Sequence, residues 1–333
     1  MPRIPFTTLY EEYHRILTKL GLSPDKAALV AQIFTENQRD GIYSHGLNRF
    51  PSFVASVKQG RVDLHANPEK VGGLGALEQW DGKCGLGPWN ARLAMNRALE
   101  LAREHGMGCV GLRNTSHWLR GGAYGLQAAD AGCMGICWTN TMPLMPPWGS
   151  AQVKIGNNPL IIAVPRSGGH LLLDMAMSQY SNGKLEVLKA QGREAPVPGG
   201  YDQAGNLSQS PADILATRRP LPIGYWKGSA LAVLLDAAAA LLSGGNSTLE
   251  IGKLPAEGAV SQVFVAINAV ALTGAAHWNE MADRIVADLH TALPMEGGSP
   301  VRYPGEGMLR IREESAKLGV LVDEQGYAAL KAQ

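Results

Sequence analysis

"GLGPWNA", residues 85–91, is the stretch on which the fold turns. It fits the pattern G-x-G-x-x-A, follows the strand-like run "GALEQWDG" (75–82) and opens a helix, the setting of a dinucleotide-binding turn in a Rossmann unit. Such a unit also needs an acidic residue roughly 20 positions on, at the end of a second strand. The acid at that distance, Glu104, falls inside the helix "GPWNARLAMNRALELAREHG" (87–106), with Pro88 in its first turn and Gly106 at its end. With 40 glycines in the chain, the match can arise by chance. On the residues alone the turn is therefore a weak match to a Rossmann fingerprint.

Outward from that turn the pattern is α/β. "CVGLRNT" (109–115) and "MGICWTN" (134–140) are short β-rich runs separated by the helix "GAYGLQAADAG" (122–132), and "NPLIIAVP" (158–165) and "LLLDMAMS" (171–178) are two further strands. Residues 193–224 are rich in Pro and Gly and read as an excursion over the surface. "KGSALAVLLDAAAALLSGG" (227–245) reads as an apolar helix buried on most sides, "SQVFVAINAVAL" (261–272) as a strand, and "AAHWNEMADRIVADLHTAL" (275–293) as an amphipathic helix. Toward the N-terminus the spacing predicts a helix over 7–21. A second, "SPDKAALVAQIFTENQRDG" (23–41), has Ser23 as N-cap, Pro24 at N1 and Gly41 as breaker, and a third runs near 48–59. "MLRIREESAKLG" (308–319) predicts the final helix. The layout is helical ends around an α/β middle, with 1–70 and 308–333 expected to form a helical domain and 71–307 the α/β domain.

Bulk properties exclude several classes. Net charge is +1 and the basic residues are scattered, so no nucleic-acid partner or anionic membrane surface is indicated. The four cysteines, at 84, 109, 133 and 137, have neither a disulfide-scaffold nor a zinc spacing, and no metal site is expected. The N-terminus lacks the apolar core of a signal peptide, and "ALAVLLDAAAALL" (230–242) is interrupted by Asp236 and too short to span a bilayer. A cytoplasmic protein is expected. No P-loop, G-x-S-x-G elbow or H-E-x-x-H is present.

Three stretches carry candidate chemistry. In "DGIYSHGLNRFP" (40–51), His45 stands beside Ser44 with Arg49 four residues on. A histidine titrates near neutrality and can serve as a general acid, and an arginine offers a planar fork to a carboxylate. The plainer reading is that Ser44 caps, His45 packs and Arg49 is solvated. "NTSHWLRGG" (114–122) places His117 and Arg120 after a strand, where sites of α/β folds tend to lie. Trp148 in "MPPWG" either walls a pocket or simply packs. "GYWKGSAL" (224–231) puts Lys227 at a helix N-terminus, a setting that favours a phosphate or else is a cap with a solvated lysine.

"YSHGLNRFP", "NTSHWLRGGAYG", "MGICWTN", "PPWG", "NNPLIIAVP", "LDMAMS", "GYWKGSAL" and "YPGEG" stand in the order of the type-2 malate/L-lactate dehydrogenase family. The chain resembles that family from about residue 4 to about 325, and most closely its 2,3-diketo-L-gulonate reductase branch. The resemblance implies a non-Rossmann, mixed and largely antiparallel sheet (L-sulfolactate dehydrogenase-like), with a helical domain built from both chain ends. It also implies a homodimer and NADH- or NADPH-dependent reduction of a 2-keto acid. The family's proton donor falls on His45, and its cofactor-contacting segments fall on His170, Leu171, Leu172, Leu173, Asp174, Met175 and Ala176, on Trp226 and Lys227, and on Gly305, Glu306 and Gly307. The chain departs from the branch in a longer turn before "LLLD", in Asn157 of "GNNP", and in "PGEG" at Glu306 and Gly307. On this reading Arg49 holds the substrate carboxylate, Ser44 fixes the imidazole, Asp174 pairs with or orients His45, and His117, Arg120 and Trp148 bind the sugar-acid tail. Other substrates within the family (malate, lactate, ureidoglycolate or a cyclic imino acid) and a catalytically silent ligand-binding relative are the alternatives.

Overall fold

The computed structural model describes residues 2–333. Its centre is a seven-stranded sheet in the order Glu69–Leu74, Leu77–Gly85, Met107–Thr115, Val260–Ile267, Met134–Thr139, Leu160–Val164, Leu171–Met175. All neighbouring pairs are antiparallel except Leu77–Gly85 with Met107–Thr115. A parallel pair needs a crossover, and here it is the helix Gly87–His105. "GLGPWNA" therefore occupies the strand-to-helix turn of a single βαβ unit set in an otherwise antiparallel sheet, which is why it mimics the Rossmann pattern. Its second glycine has a different task. A Cβ on Gly87 would lie 2.3 Å from the carbonyl oxygens of both Ser116 and His117, and the Gly87 N–H donates to Ser116 Oγ at 2.8 Å. The glycine admits protein backbone where a Rossmann glycine admits a pyrophosphate.

Helices cover both faces of the sheet. On one, Ala94, Met95 and Ala98 of the crossover helix and Tyr124 of helix Gly122–Asp130 meet Val110, Leu112 and Phe264. On the other, helix Trp226–Ser243 lays Ala232 and Leu235 against Met145, Trp138 and Met175. This helix is less enclosed than its composition suggests. It is 18 residues long and apolar enough to cross a membrane, yet Asp236 is fixed inside the protein by Asn140 Nδ2 and the Thr248 N–H, each at 2.8 Å. Val233, Leu234 and Leu241 on its outer side are exposed.

A separate apolar cluster joins the chain ends. Tyr13, Phe34, Phe50 and Phe53 of helices Phe6–Lys19, Pro24–Arg39 and Phe50–Lys58 pack with Val320, Val322 and Leu330, and Arg3–Ile4 pairs antiparallel with Val320–Leu321. Local signals hold in most places: Pro24 begins its helix, and Gly41 and Gly60 follow their helices with φ of +79° and +67°. Others differ. Ser23 occupies the N-cap position without a side-chain cap bond. The third helix starts at Phe50, because Pro51 belongs in its first turn. Helix Glu306–Leu318 is followed by another, Glu324–Lys331, which buries only Leu330 and so has little apolar periodicity to read. The edge strand Glu69–Leu74 is exposed along most of its length and shows no alternation. The excursion 193–224 contains helix Pro211–Thr217 and a hairpin of two-residue strands, Gly200–Tyr201 and Leu207–Ser208, and helix Asn182–Ala190 precedes it.

Candidate active site

The turn carrying His45 is built by the helix that precedes it. The Asn37 carbonyl accepts the Ile42 N–H at 2.8 Å, and Asn37 Nδ2 donates to the His45 carbonyl at 3.0 Å. Gln38 Oε1 accepts the Leu47 N–H at 2.9 Å while its Nε2 donates to the Leu321 carbonyl at 2.8 Å. Two amide side chains thus clamp a single 3₁₀ turn, Tyr43–His45, against the C-terminal segment. Ser44 Oγ lies 3.1 Å from His45 Nδ1, and the imidazole stacks on His117 with ring centroids 6.1 Å apart. His117 Nδ1 accepts the Leu119 N–H at 3.0 Å. An accepting Nδ1 makes His117 the neutral tautomer with its proton on Nε2.

Electrostatics keeps both rings neutral. Burial, with the charges of Arg49 and Arg120, lowers His45 to about 4 against the opposing pull of Asp174. Burial, Arg49 and His45 hold His117 well below the ordinary histidine value. Arg49 lines the same cleft, and its guanidinium makes no ion pair or side-chain hydrogen bond among the described residues. The cleft holds about 460 Å³, with Thr139, Asn157, Ala176 and Asn182 also on its walls.

Arg120 is arranged in the opposite way. Its Nε donates to Asp174 Oδ2 at 2.9 Å, one Nη to Asp40 Oδ2 at 3.2 Å and the other to Met308 Sδ at 2.9 Å. Asp40 also receives Arg312 at 2.7 and 2.9 Å and Arg39 at 2.8 Å. Burial would raise the Asp40 carboxyl, but the hydrogen bonds and charges of Arg312 and Arg39 hold it below the usual range. Two sequence expectations change here. Arg120 is spent on protein partners instead of reaching for a substrate tail, and Asp174 pairs with Arg120, with no hydrogen bond to His45 among the described residues. A Cβ on Gly122 would sit 2.3 Å from Asp174 Oδ2. The second glycine of "RGG" therefore lets this carboxylate lie against the N-terminus of helix Gly122–Asp130, where the helix dipole favours it.

The strand Leu171–Met175 and the segment 303–307 come together through the Leu172 N–H, which donates to the Pro304 carbonyl at 2.8 Å. Between them opens a second cavity of about 650 Å³, lined by Leu172, Asp174, Arg302, Gly305, Gly307 and Met308. It shares Ile42, Arg120 and Asp174 with the His45 cleft. Strand alternation puts Leu172, Asp174 and Ala176 on these cavities and turns Leu171, Leu173 and Met175 to the other face. His170 lies 2.9 Å from Asp130, and Glu306 accepts the Tyr303 N–H at 3.1 Å and meets His290 at 3.2 Å. Trp148, Trp226 and Lys227 are elsewhere. Trp148 packs edge-on against Tyr225 at 5.1 Å, Trp226 is 61% exposed, and none of the three lines either cavity. Glu257, on the wall of the His45 cleft, was not foreseen. It is a lone acid in "KLPAEGAV" (253–260), where no local pattern marks it.

The comparisons agree with this architecture. The pattern of the malate/L-lactate dehydrogenase family matches residues 4–331. The chain is 43% identical to proteins named 2,3-diketo-L-gulonate reductase from Citrobacter koseri and from Klebsiella pneumoniae, over 99% of this chain and 99% of each relative. Among solved structures, malate dehydrogenase from Entamoeba histolytica superposes with a TM-score of 0.93 at 23% identity, covering 99% of this chain and 96% of that one, a likeness of fold alone. Sulfolactate dehydrogenase from Methanocaldococcus jannaschii gives 0.90 at 27% identity, covering 99% and 96%. Fold, sequence and relatives coincide on an oxidoreductase of keto or hydroxy acids, and the chain belongs to the malate/L-lactate dehydrogenase family.

Proposed function

We propose that the protein reduces a 2-keto sugar acid, 2,3-diketo-L-gulonate to 3-dehydro-L-gulonate, with NADH as the reductant and NADPH as the other cofactor to be tested. The observation that carries this reading is an unpaired Arg49 in one cleft with two stacked, neutral histidines. Arg49 would take the substrate carboxylate as a bidentate pair. His117 would donate its Nε2 proton as a hydrogen bond, and His45, held by Ser44, would protonate the carbonyl oxygen as it gains charge. The bound carboxylate would cancel part of the Arg49 charge that disfavours protonated His45, so substrate and proton would bind together. Arg120 and Asp174 serve as a brace between the two cavities.

The adjoining cavity is the place this reading gives to a dinucleotide. Gly305 has φ +100°, and a Cβ there would meet the Leu172 nitrogen at 3.1 Å and the His170 carbonyl oxygen at 3.2 Å, so the glycine lets this segment lie against the strand and brings Gly305 and Gly307, at the N-terminus of helix Glu306–Leu318, onto the cavity wall. Leu172, Asp174, Arg302, Gly305 and Gly307 would hold the cofactor, and a reduced nicotinamide bound there would supply hydride. A cytoplasmic homodimer belongs to the same proposal, with a second copy covering Val233, Leu234 and Leu241 and bringing Trp148, Trp226 and Lys227 into a shared site. The test is absorbance at the nicotinamide band with NADH and NADPH over 2,3-diketo-L-gulonate, oxaloacetate, pyruvate and a cyclic imino acid. Turnover preferring diketogulonate with NADH is expected. Preference for another substrate in the panel would replace the substrate assignment.

A further inference from the structure

The His45 cleft does not end at Arg49. A smaller cavity of about 230 Å³ lies beyond it, lined by Ser52, Ser56, Arg61 and Ser116, and four residues (Arg49, His117, Leu119 and Glu257) line both spaces. They form the neck between the reaction centre and this outer chamber. Glu257 is the one acid on that neck. It makes no ion pair among the described residues, although the Arg49 charge acts on it. Burial raises this carboxyl, and the Arg49 charge opposes the rise.

We propose that Glu257 is the specificity-determining residue for the substrate tail, admitting hydroxylated 2-keto acids and rejecting those with a second carboxylate. The inference rests on the reading of Arg49 as carboxylate anchor. With one end on Arg49 and the keto carbon at His45, the proposal sends a tail of four carbons through the neck into the serine-lined chamber, one of the cavities that adjoin the cleft. A polyol tail presents hydroxyl donors there, and a carboxylate oxygen accepts them well. A second carboxylate would stand beside the Glu257 carboxyl in a partly desolvated neck, where two like charges repel strongly. Pyruvate has no tail and never reaches it.

The experiment compares the full-length protein with Glu257→Gln in steady-state reduction of 2,3-diketo-L-gulonate, oxaloacetate and pyruvate by NADH. The variant should lower the diketogulonate-to-oxaloacetate ratio of kcat/KM by at least about tenfold, chiefly through KM, the size of one lost charge-assisted contact. Pyruvate kinetics should stay within about threefold. Glu257→Asp keeps the charge, so it should keep the rejection of oxaloacetate and supports the proposal even where Gln does not fold. An unchanged ratio in Gln, an equal loss on pyruvate, or acceptance of oxaloacetate by Asp would overturn the inference. A wild type that turns over diketogulonate with the ratio unmoved in Gln overturns this inference alone. A wild type inactive on all three overturns the proposed function and this inference with it.

Discussion

The turn 43–49 and the loop 116–122 each carry a histidine and an arginine, and from the sequence they look like two versions of one device. In the structure the first keeps its charge unpaired and the second spends it. Arg49 has no partner among the described residues, whereas Arg120 is 4% exposed and ties Asp40, Asp174 and Met308 together. Their histidines divide in the same way. His117 is committed through Nδ1 to the Leu119 N–H, whereas the His45 ring stacks on His117 and its ring nitrogens meet, among the described residues, a serine hydroxyl that can donate or accept. A site needs both kinds of group: one set free to meet ligand, one set fixed so that the free groups stay in place.

The contrast can be broken at its strongest point first. His45→Ala should reduce turnover by roughly two to four orders of magnitude, the range for a lost general acid, while cofactor binding followed by nicotinamide fluorescence persists. Near-normal turnover would hand the proton to another group. On the fixed side, Asp40→Asn should remove the carboxylate that pairs Arg312 and leave Arg120 with Asp174 alone, lowering unfolding stability by about 3–5 kcal/mol, as for other broken buried pairs. Chemical denaturation measures this, and a loss below about 1 kcal/mol would demote the brace. Asp40 has its folded value depressed, so its contribution is complete above its unfolded value near ~3.9 and fades as pH falls through the folded one.

Arg49→Lys should raise substrate KM about tenfold with kcat and cofactor affinity little changed, because an ammonium cannot reproduce the fork. An unchanged KM would place the carboxylate elsewhere. The mildest test is pH. His45 is neutral above about 4 in the free protein. Reduction needs the protonated ring, so its kcat/KM should fall by about tenfold per unit as pH rises above that value. Oxidation of the hydroxy acid needs the neutral ring and should be flat there, declining only below it. The opposite slopes in the two directions would sharpen the assignment, and parallel slopes would contradict it.

Much of the frame was legible locally. Pro24, Gly41, Pro88 and Gly106 bracket two helices where expected, and the runs at 109–115, 134–140 and 158–165 are strands. Elements with both faces exposed, such as Glu69–Leu74, or with one buried residue, such as Glu324–Lys331, carry too little apolar periodicity to be read. The exposed outer side of helix Trp226–Ser243 is not legible in the sequence, because an all-round apolar composition does not say which of its faces the rest of the chain covers.

By itself the sequence determined several helix ends and, through its ordered motifs, the family and with it the rejection of a Rossmann turn. Those properties are encoded within a few residues, by caps, breakers and spacing. Only the tertiary structure decided which arginine is free, that Gly87 makes room for the 116–117 backbone, and that Glu257 stands on the neck of the cleft. Arg120 meets partners 80 and 54 positions away, and Asp40 meets Arg312 across 272. Charge and burial depend on neighbours that the chain assembles only when it folds.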